Sequence, residues 1–233
     1  IFKAMVGAIP DRTIAGHYAD LCVSLLTGVD KRTGRLFITG AGHPGGGWGA
    51  KQNEDGRTAV AINDGDTHNV PAEALEAKVP VLLESREWRQ DSGGAGRHRG
   101  GLGVRMELRA LNPITLGISM ERTQCAPWGL EGGKDGLPNR VHVRRADGSV
   151  YQPPNGKLQG FQLAEGDVYV VESGGGGGFG PPHERPVEAV LEDLRAGYVS
   201  ADAAREDYRV AVDTGTLQLE AAATAELRGS AAG

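Results

Sequence analysis

Short bursts of alternating apolar and polar positions recur along the chain, each bounded by turn residues. LCVSLLTG (residues 21–28) and RLFITG (residues 35–40) have this period-two texture, and the intervening VDKRTG carries Asp30 and Gly34, which predicts a hairpin. RTAVAIND (residues 57–64) predicts a third strand, and PVLLESREW, GVRMELRAL, ITLGISMER, RVHVRRA and GDVYVVE predict five more short β segments. Helical spacing is rarer. A short helix is expected over residues 2–8, ended by Pro10, and PAEALEAKV (residues 71–79) has proline first and acidic residues early. ERPVEAVLEDLRAG (residues 184–197) places Val187, Val190, Leu191 and Leu194 on one helical face and stops at Gly197. SADAAREDYRV (residues 200–210) follows with Ser200 as N-cap, and the Ala-rich last twenty residues read as a loose helix or tail. The pattern predicts an α+β fold: a β-rich body of short, mainly antiparallel strands with Gly-rich loops over residues 1–183, and a two-helix carboxy-terminal cap and tail over residues 184–233.

Composition narrows the function classes. A chain of 233 residues with 24% charged and 39% apolar residues has the make-up of an ordinary folded protein. No apolar run reaches the length of a membrane span. The net charge of −5 offers no basic face for nucleic acid. The opening IFKAMVGAIP has neither the charged start nor the long apolar stretch of a signal peptide, and Ile1 suggests a start inside a longer product. Cys22 and Cys125 read as reduced, buried cytoplasmic thiols.

Glycine changes the picture: the chain has 37, and many of them gather in four clusters. These are GAGHPGGGWGAK from Gly40, DSGGAGRHRGGLG from Asp91, WGLEGGKDG from Trp128 and SGGGGGFGPPHERP from Ser173. A flexible linker fits the last one poorly, because Phe179, Pro181 and Pro182 stiffen its exit. A phosphate-binding P-loop would need Gly-Lys-Ser/Thr, and here Gly180 is followed by two prolines. What remains is a rigid turn at which backbone closely approaches something else. Gly174, Gly175, Gly176, Gly177 and Gly178 would hold at least one residue at positive φ and could offer amides to an anion or cofactor.

The polar candidates lie beside these clusters. His183 at the expected helix start reads as a surface cap first and a pocket group second. Asp91, Arg97 and Arg99 read as loop staples, or as a grip on a substrate carboxylate. His43 sits in the first cluster, and Arg122 is a further pocket candidate. Asp64, Asp66 and His68 in NDGDTH are of metal-ligand type, yet nothing else in the chain completes a set, so no metal site is assigned. The chain has no nucleophile elbow, His-Glu-x-x-His or Cys-x-x-Cys motif.

The clusters in this order resemble the hydantoinase B/oxoprolinase family. The carriers are GGGWGA running to Gly56, DTHNVPAEALEAKVPV from Asp66, DSGGAGRHRGGLG from Asp91, PWGLEGGKDG from Pro127, GDVYVVESGGGGGFGPPHERP from Gly166 and VLEDLRAGYVSADAAREDY from Val190. The resemblance is to the carboxy-terminal half of such B-type subunits. The Asp- and His-rich metal motifs of the family's amino-terminal half do not occur in this sequence. The resemblance implies a cytoplasmic complex with that half and with an A-type subunit that binds ATP and Mg2+. A divalent transition metal would lie in the other half. The implied activity is ATP-dependent activation and ring opening of a cyclic amide or imide of hydantoin or 5-oxoproline type. The family's relatives also include acetone and acetophenone carboxylases, so an ATP-dependent ketone carboxylase subunit is the alternative. A non-catalytic half that holds partner chains is the second alternative.

Overall fold

The structure, a computed structural model, describes residues 2–9, 12–61 and 69–229. Among these residues nine strands form two antiparallel sheets. The first sheet runs β2 (Arg35–Gly40), β1 (Val23–Asp30), β5 (Ile114–Ser119), β8 (Lys157–Leu163). The second runs β3 (Val81–Trp88), β4 (Val104–Ala110), β9 (Val168–Glu172), β6 (Arg140–Arg144), β7 (Val150–Tyr151). Their inner faces share one core, in which Leu26, Leu116 and Ile118 of the first sheet meet Met106, Val141 and Val171 of the second. The expected hairpin is β1–β2: the Asp30 carbonyl accepts from the Thr33 and Gly34 amides, and Gly34 takes φ 69°.

Several expectations change. The described part of RTAVAIND makes only an isolated bridge from Val60 to Gly46, because its other backbone groups serve the glycine segments. The helix α1 is short (Phe2–Met5), α2 begins at Ala72 (Ala72–Lys78), and α3 (Val187–Arg195) starts three residues later than expected. Pro186 is its N-cap, and Pro182–Glu184 form a separate 3-10 turn. Ser200 caps α4 (Ala201–Glu206) as read, with its hydroxyl accepting from the Ala203 amide. The tail folds as α5 (Ala221–Gly229), pinned by the buried Thr224 hydroxyl to Ala211. α3 and α4 bury Val190, Leu191, Leu194 and Ala204 in a second cluster against Ala95.

Between the sheets and the helices, residues 173–179 run as an extended rod with six backbone neighbours. The Gly175 and Gly178 amides donate to Leu137 and Lys134, those of Gly176 and Phe179 to Gly101 and His98, and that of Gly177 to Gly16. The Gly174 and Gly177 carbonyls accept from Gly47 and Ala50, that of Gly176 from Gly94, and that of Gly178 from Leu130. Partners therefore repeat every three residues, the period of an extended threefold polyproline II-type chain with no internal hydrogen bonds. The neighbours also bond to one another in a closed ring. Ala15 donates to Ala50, Gly101 to Trp48, Gly100 to Gly94, Lys134 to Ala95, Gly136 to Pro127 and Gly16 to Trp128. The result is a hexagonal bundle of backbone around a glycine axis.

This arrangement explains the run without special dihedrals. None of residues 174–178 has a left-handed φ, contrary to expectation, and the first positive φ after them is Gly180 at 73°. Glycine is needed for closeness: a Cβ on any of residues 174–178 would lie within 3.0 Å of a neighbouring carbonyl oxygen. All five are buried.

Candidate functional site

The rod gives the molecule two polar ends. At its carboxy end, Arg185 is buried and grips Asp55 through two nitrogens at 2.8 and 2.7 Å. It also donates to Asp193 at 2.8 Å, and Arg99 reaches the same Asp193 oxygen at 3.2 Å. Burial pushes the Asp55 carboxyl up, but the hydrogen bonds and charges of Arg185 and Arg99 outweigh it and hold the group below its usual value. Arg99 is thereby a staple between the bundle and α3. Asp91 is another, because its carboxylate accepts from the Ser200 amide and its own amide donates to Tyr198. Arg97 pairs with the exposed Glu184 at 3.3 Å beside an open cleft of about 460 Å³ shared with Gln52 and Glu131. His183 is exposed in the 3-10 turn.

At the amino end the pattern reverses. The Gly174 amide donates to the Asn139 side-chain oxygen. The Asn139 side-chain nitrogen in turn reaches the Glu121 carbonyl at 2.9 Å and Asp20 at 3.5 Å. Asp20 also accepts from the Glu121 amide at 3.0 Å. Burial raises the Asp20 carboxyl above its usual value despite these donors, and the fully buried Cys22 thiol, bonded to Asp20, is raised as well. Ala19, Cys22 and Arg122 all have left-handed φ, at 50°, 51° and 49°. Asp91 and Glu131 at the carboxy end share this conformation, at 59° and 50°, so the backbone alone does not distinguish the two ends.

Two histidines lie close to this cluster, His43 within the field of Asp20 and His17 within that of Arg122. His17 stacks on Trp48 with ring centroids 5.6 Å apart, and burial, then the Arg122 charge, lowers its pKa. His43 Nδ1 accepts from the Gly45 amide at 2.9 Å, so the neutral ring carries its proton on Nε2. That Nε2 is buried and has no hydrogen-bond partner among the described residues, and burial lowers the His43 pKa. Ala19, Arg122 and Lys157 line a cleft of about 540 Å³ beside this cluster.

Of the sequence candidates, the structure brings His43 and Arg122 to the amino end and Arg97, Arg99 and His183 to the carboxy end. Asp66 and His68 lie outside the described residues. The amides of residues 174–178 are all engaged within the protein, so the run offers no free donor to an anion. Sequence reasoning missed Asp20, His17 and Asn139. The one available signal was the polar pair His17 and Asp20 breaking the apolar approach to β1. Among the described residues no three His, Cys, Asp or Glu side chains converge as a metal site. No described helix is long and apolar enough to cross a membrane.

The sequence matches the Hydantoinase B/oxoprolinase family over residues 1–182. The chain belongs to this family. It is 34% identical to an uncharacterized Methanocaldococcus jannaschii protein, across 91% of this chain and 36% of the relative. It is 39% identical to caprolactamase subunit beta of Pseudomonas jessenii, across 65% of this chain and 26% of that one. The fold matches the crystal structure of ATP-dependent caprolactamase from Pseudomonas jessenii with a TM-score of 0.80 and 27% identity, over 97% of this chain and 40% of that chain. It also matches nucleotide-free acetone carboxylase with a TM-score of 0.77 over 97% of this chain and 34% of that chain, a likeness of fold alone at 20% identity. The chain thus spans roughly a third of the length of these family members.

Proposed function

We propose that the chain is one part of an ATP-dependent enzyme that opens a cyclic amide or imide, with the amino end of the rod facing the substrate. The observation that carries this reading is the 39% identity to caprolactamase subunit beta. An amide is stabilised by resonance against water, so opening it requires activation, and charge then develops on its oxygen. ATP and Mg2+ on an A-type partner subunit supply the activation. A divalent metal, where one is used, belongs in this reading to the remainder of the B-type subunit.

This chain's contribution is positioning and proton handling. The Nε2–H of His43 and the Arg122 guanidinium are the donors offered to a developing oxyanion. Asp20 takes up or releases the proton at the ring nitrogen or attacking water. The rest of the B-type subunit packs on the outer face of β1 and β2, where Val23, Leu25, Val29, Leu36 and Ile38 are 44–71% exposed. An isolated chain should bind a hydrophobic dye, and co-expression with the remaining polypeptide should abolish that binding.

The decisive experiment measures ATP turnover of the assembled complex with caprolactam, hydantoin, 5-oxoproline, and a ketone with bicarbonate. Stimulation by one of the cyclic amides supports the proposal. Stimulation by ketone and bicarbonate alone replaces it with a carboxylase.

A further inference from the structure

A smaller cavity of about 160 Å³ shares Thr123 and Gln124 with the cleft lined by Ala19, Arg122 and Lys157. Arg89, Arg140, Thr123, Gln124, Asn139 and Gln152 are among its lining residues, and none of the lining residues is acidic. Arg89 follows β3 and is held firmly. Its amide donates to Gly103, and its carbonyl accepts from both the Ser92 amide and the Ser92 hydroxyl. Its guanidinium uses one nitrogen only: Nη1 donates to the Pro138 carbonyl at 2.7 Å and the Ser173 carbonyl at 3.2 Å.

The Nε and Nη2 edge of Arg89 has no hydrogen-bond partner, and no carboxylate lies within ion-pair distance of it among the described residues. Every other arginine at this end of the second sheet faces an acid: Arg105 and Arg140 share Glu172, and Arg144 faces Glu107. Arg140 stands on the same cavity, bonded to Gln152 at 3.2 Å and with its Nε 3.8 Å from Glu172. Burial, and behind it the Arg140 and Arg105 charges, outweigh the more distant Glu172 carboxylate and hold the Arg89 pKa below its usual value.

We propose that this cavity binds a small planar oxyanion, the carboxylate of a small organic acid or bicarbonate, on the open Nε–Nη2 fork of Arg89 with Arg140 as the second cation. A guanidinium edge with two parallel donors matches a carboxylate's two oxygens, and the size of the cavity limits the ligand to a few heavy atoms beyond that group. Thr123 and Gln124 line both this cavity and the larger cleft, so a bound anion braces the turn that carries Arg122 and the Glu121 amide bonded to Asp20. The inference does not depend on the amidohydrolase reading.

The test titrates sodium formate, acetate, bicarbonate and phosphate into the full chain, with any subunits that co-purify, at ionic strength held constant with sodium chloride. Heat of binding and melting temperature are followed. The expected result is saturable binding of formate, acetate or bicarbonate that is unchanged in Arg195→Gln, an exposed position on α3, and at least tenfold weaker in Arg140→Gln and Arg89→Lys. Lower half-saturation for bicarbonate than for formate and acetate identifies bicarbonate as the ligand, and the reverse identifies a carboxylate. Absence of saturation beyond chloride, binding of phosphate alone, or unchanged half-saturation in both variants overturns the proposal. If Arg89→Lys fails to fold, Arg140→Gln decides.

Discussion

The two ends of the glycine rod carry similar residue types in opposite states. At the carboxy end Asp55, Arg185, Asp193 and Arg99 exchange paired hydrogen bonds, and each buried charge has its opposite. At the amino end the buried His43 Nε2 and the Nε–Nη2 edge of Arg89 lack partners among the described residues. A closed network fastens elements together, and here it fastens the helical layer to the bundle. An open one leaves capacity for something outside the chain. The candidate residues cannot be sorted by type, since both ends have arginine and carboxylate. They sort by whether each buried charge faces an opposite one, which holds at the carboxy end although the buried Arg185 Nε has no hydrogen-bond partner among the described residues.

The comparison can be broken most severely through what the ends share. Gly176→Val places side-chain atoms where the Trp48 carbonyl already sits, and should cost more than about 5 kcal/mol, leaving no cooperative unfolding transition. The exposed Ala222→Val should cost less than about 1 kcal/mol, and a silent Gly176→Val would return the run to a simple linker. Next, Arg185→Met strips Asp55 of its paired guanidinium, leaves Asp193 with Arg99 alone, and should lower stability by about 3–5 kcal/mol, read from the urea midpoint.

At the other end the effect moves from stability to turnover. Asp20→Asn keeps shape and should leave the urea midpoint within about 1 kcal/mol while lowering ATP-dependent ring opening about 100-fold or more. Unchanged turnover would make the amino end structural after all, and the chain a holder of partner subunits.

Acid sharpens the contrast because the two carboxyls shift in opposite directions. Asp20 holds its proton more tightly folded than unfolded, so its contribution is complete below about pH 4 and is lost as pH rises through its raised value. Asp55 is shifted down, so its contribution is present above about pH 4 and is lost as pH falls. Urea midpoints from about pH 3 to pH 7 should show a shallower acid loss in Asp55→Asn and no loss of the rising-pH decline except in Asp20→Asn. The smallest effect is expected from Arg97→Gln, whose exposed pair with Glu184 is worth under about 1 kcal/mol and should vanish in high salt.

The sequence exposed the parts of the fold whose periods are two and 3.6. The β1–β2 hairpin, the long strands from β3 to β6, the N-cap at Ser200 and the apolar face of α3 follow from local pattern. β8 escaped because KLQGFQL alternates weakly and its outward face is polar to glycine. The rod was visible only as composition: a threefold chain with backbone neighbours has no side-chain pattern to read. Asp20 escaped for a further reason. Its environment depends on left-handed Ala19 and Cys22 and on Asn139, more than a hundred residues away, and none of these leaves a local trace. Arg99 and Asp91 were legible as staples because charge beside a glycine turn has few other uses inside a protein.

The threefold bonding of the rod also sets what lengths it can tolerate. Each residue along such a chain turns the next amide by about 120°, so one inserted residue would aim every later donor at the wrong neighbour. The Phe179 amide, now on His98, would face a segment that already has its bonds. Only a change of three residues restores the alignment, and all six neighbouring segments would have to lengthen with it. The run is therefore counted as strictly as the thread of a screw, and evolution can vary what caps its ends far more easily than its pitch.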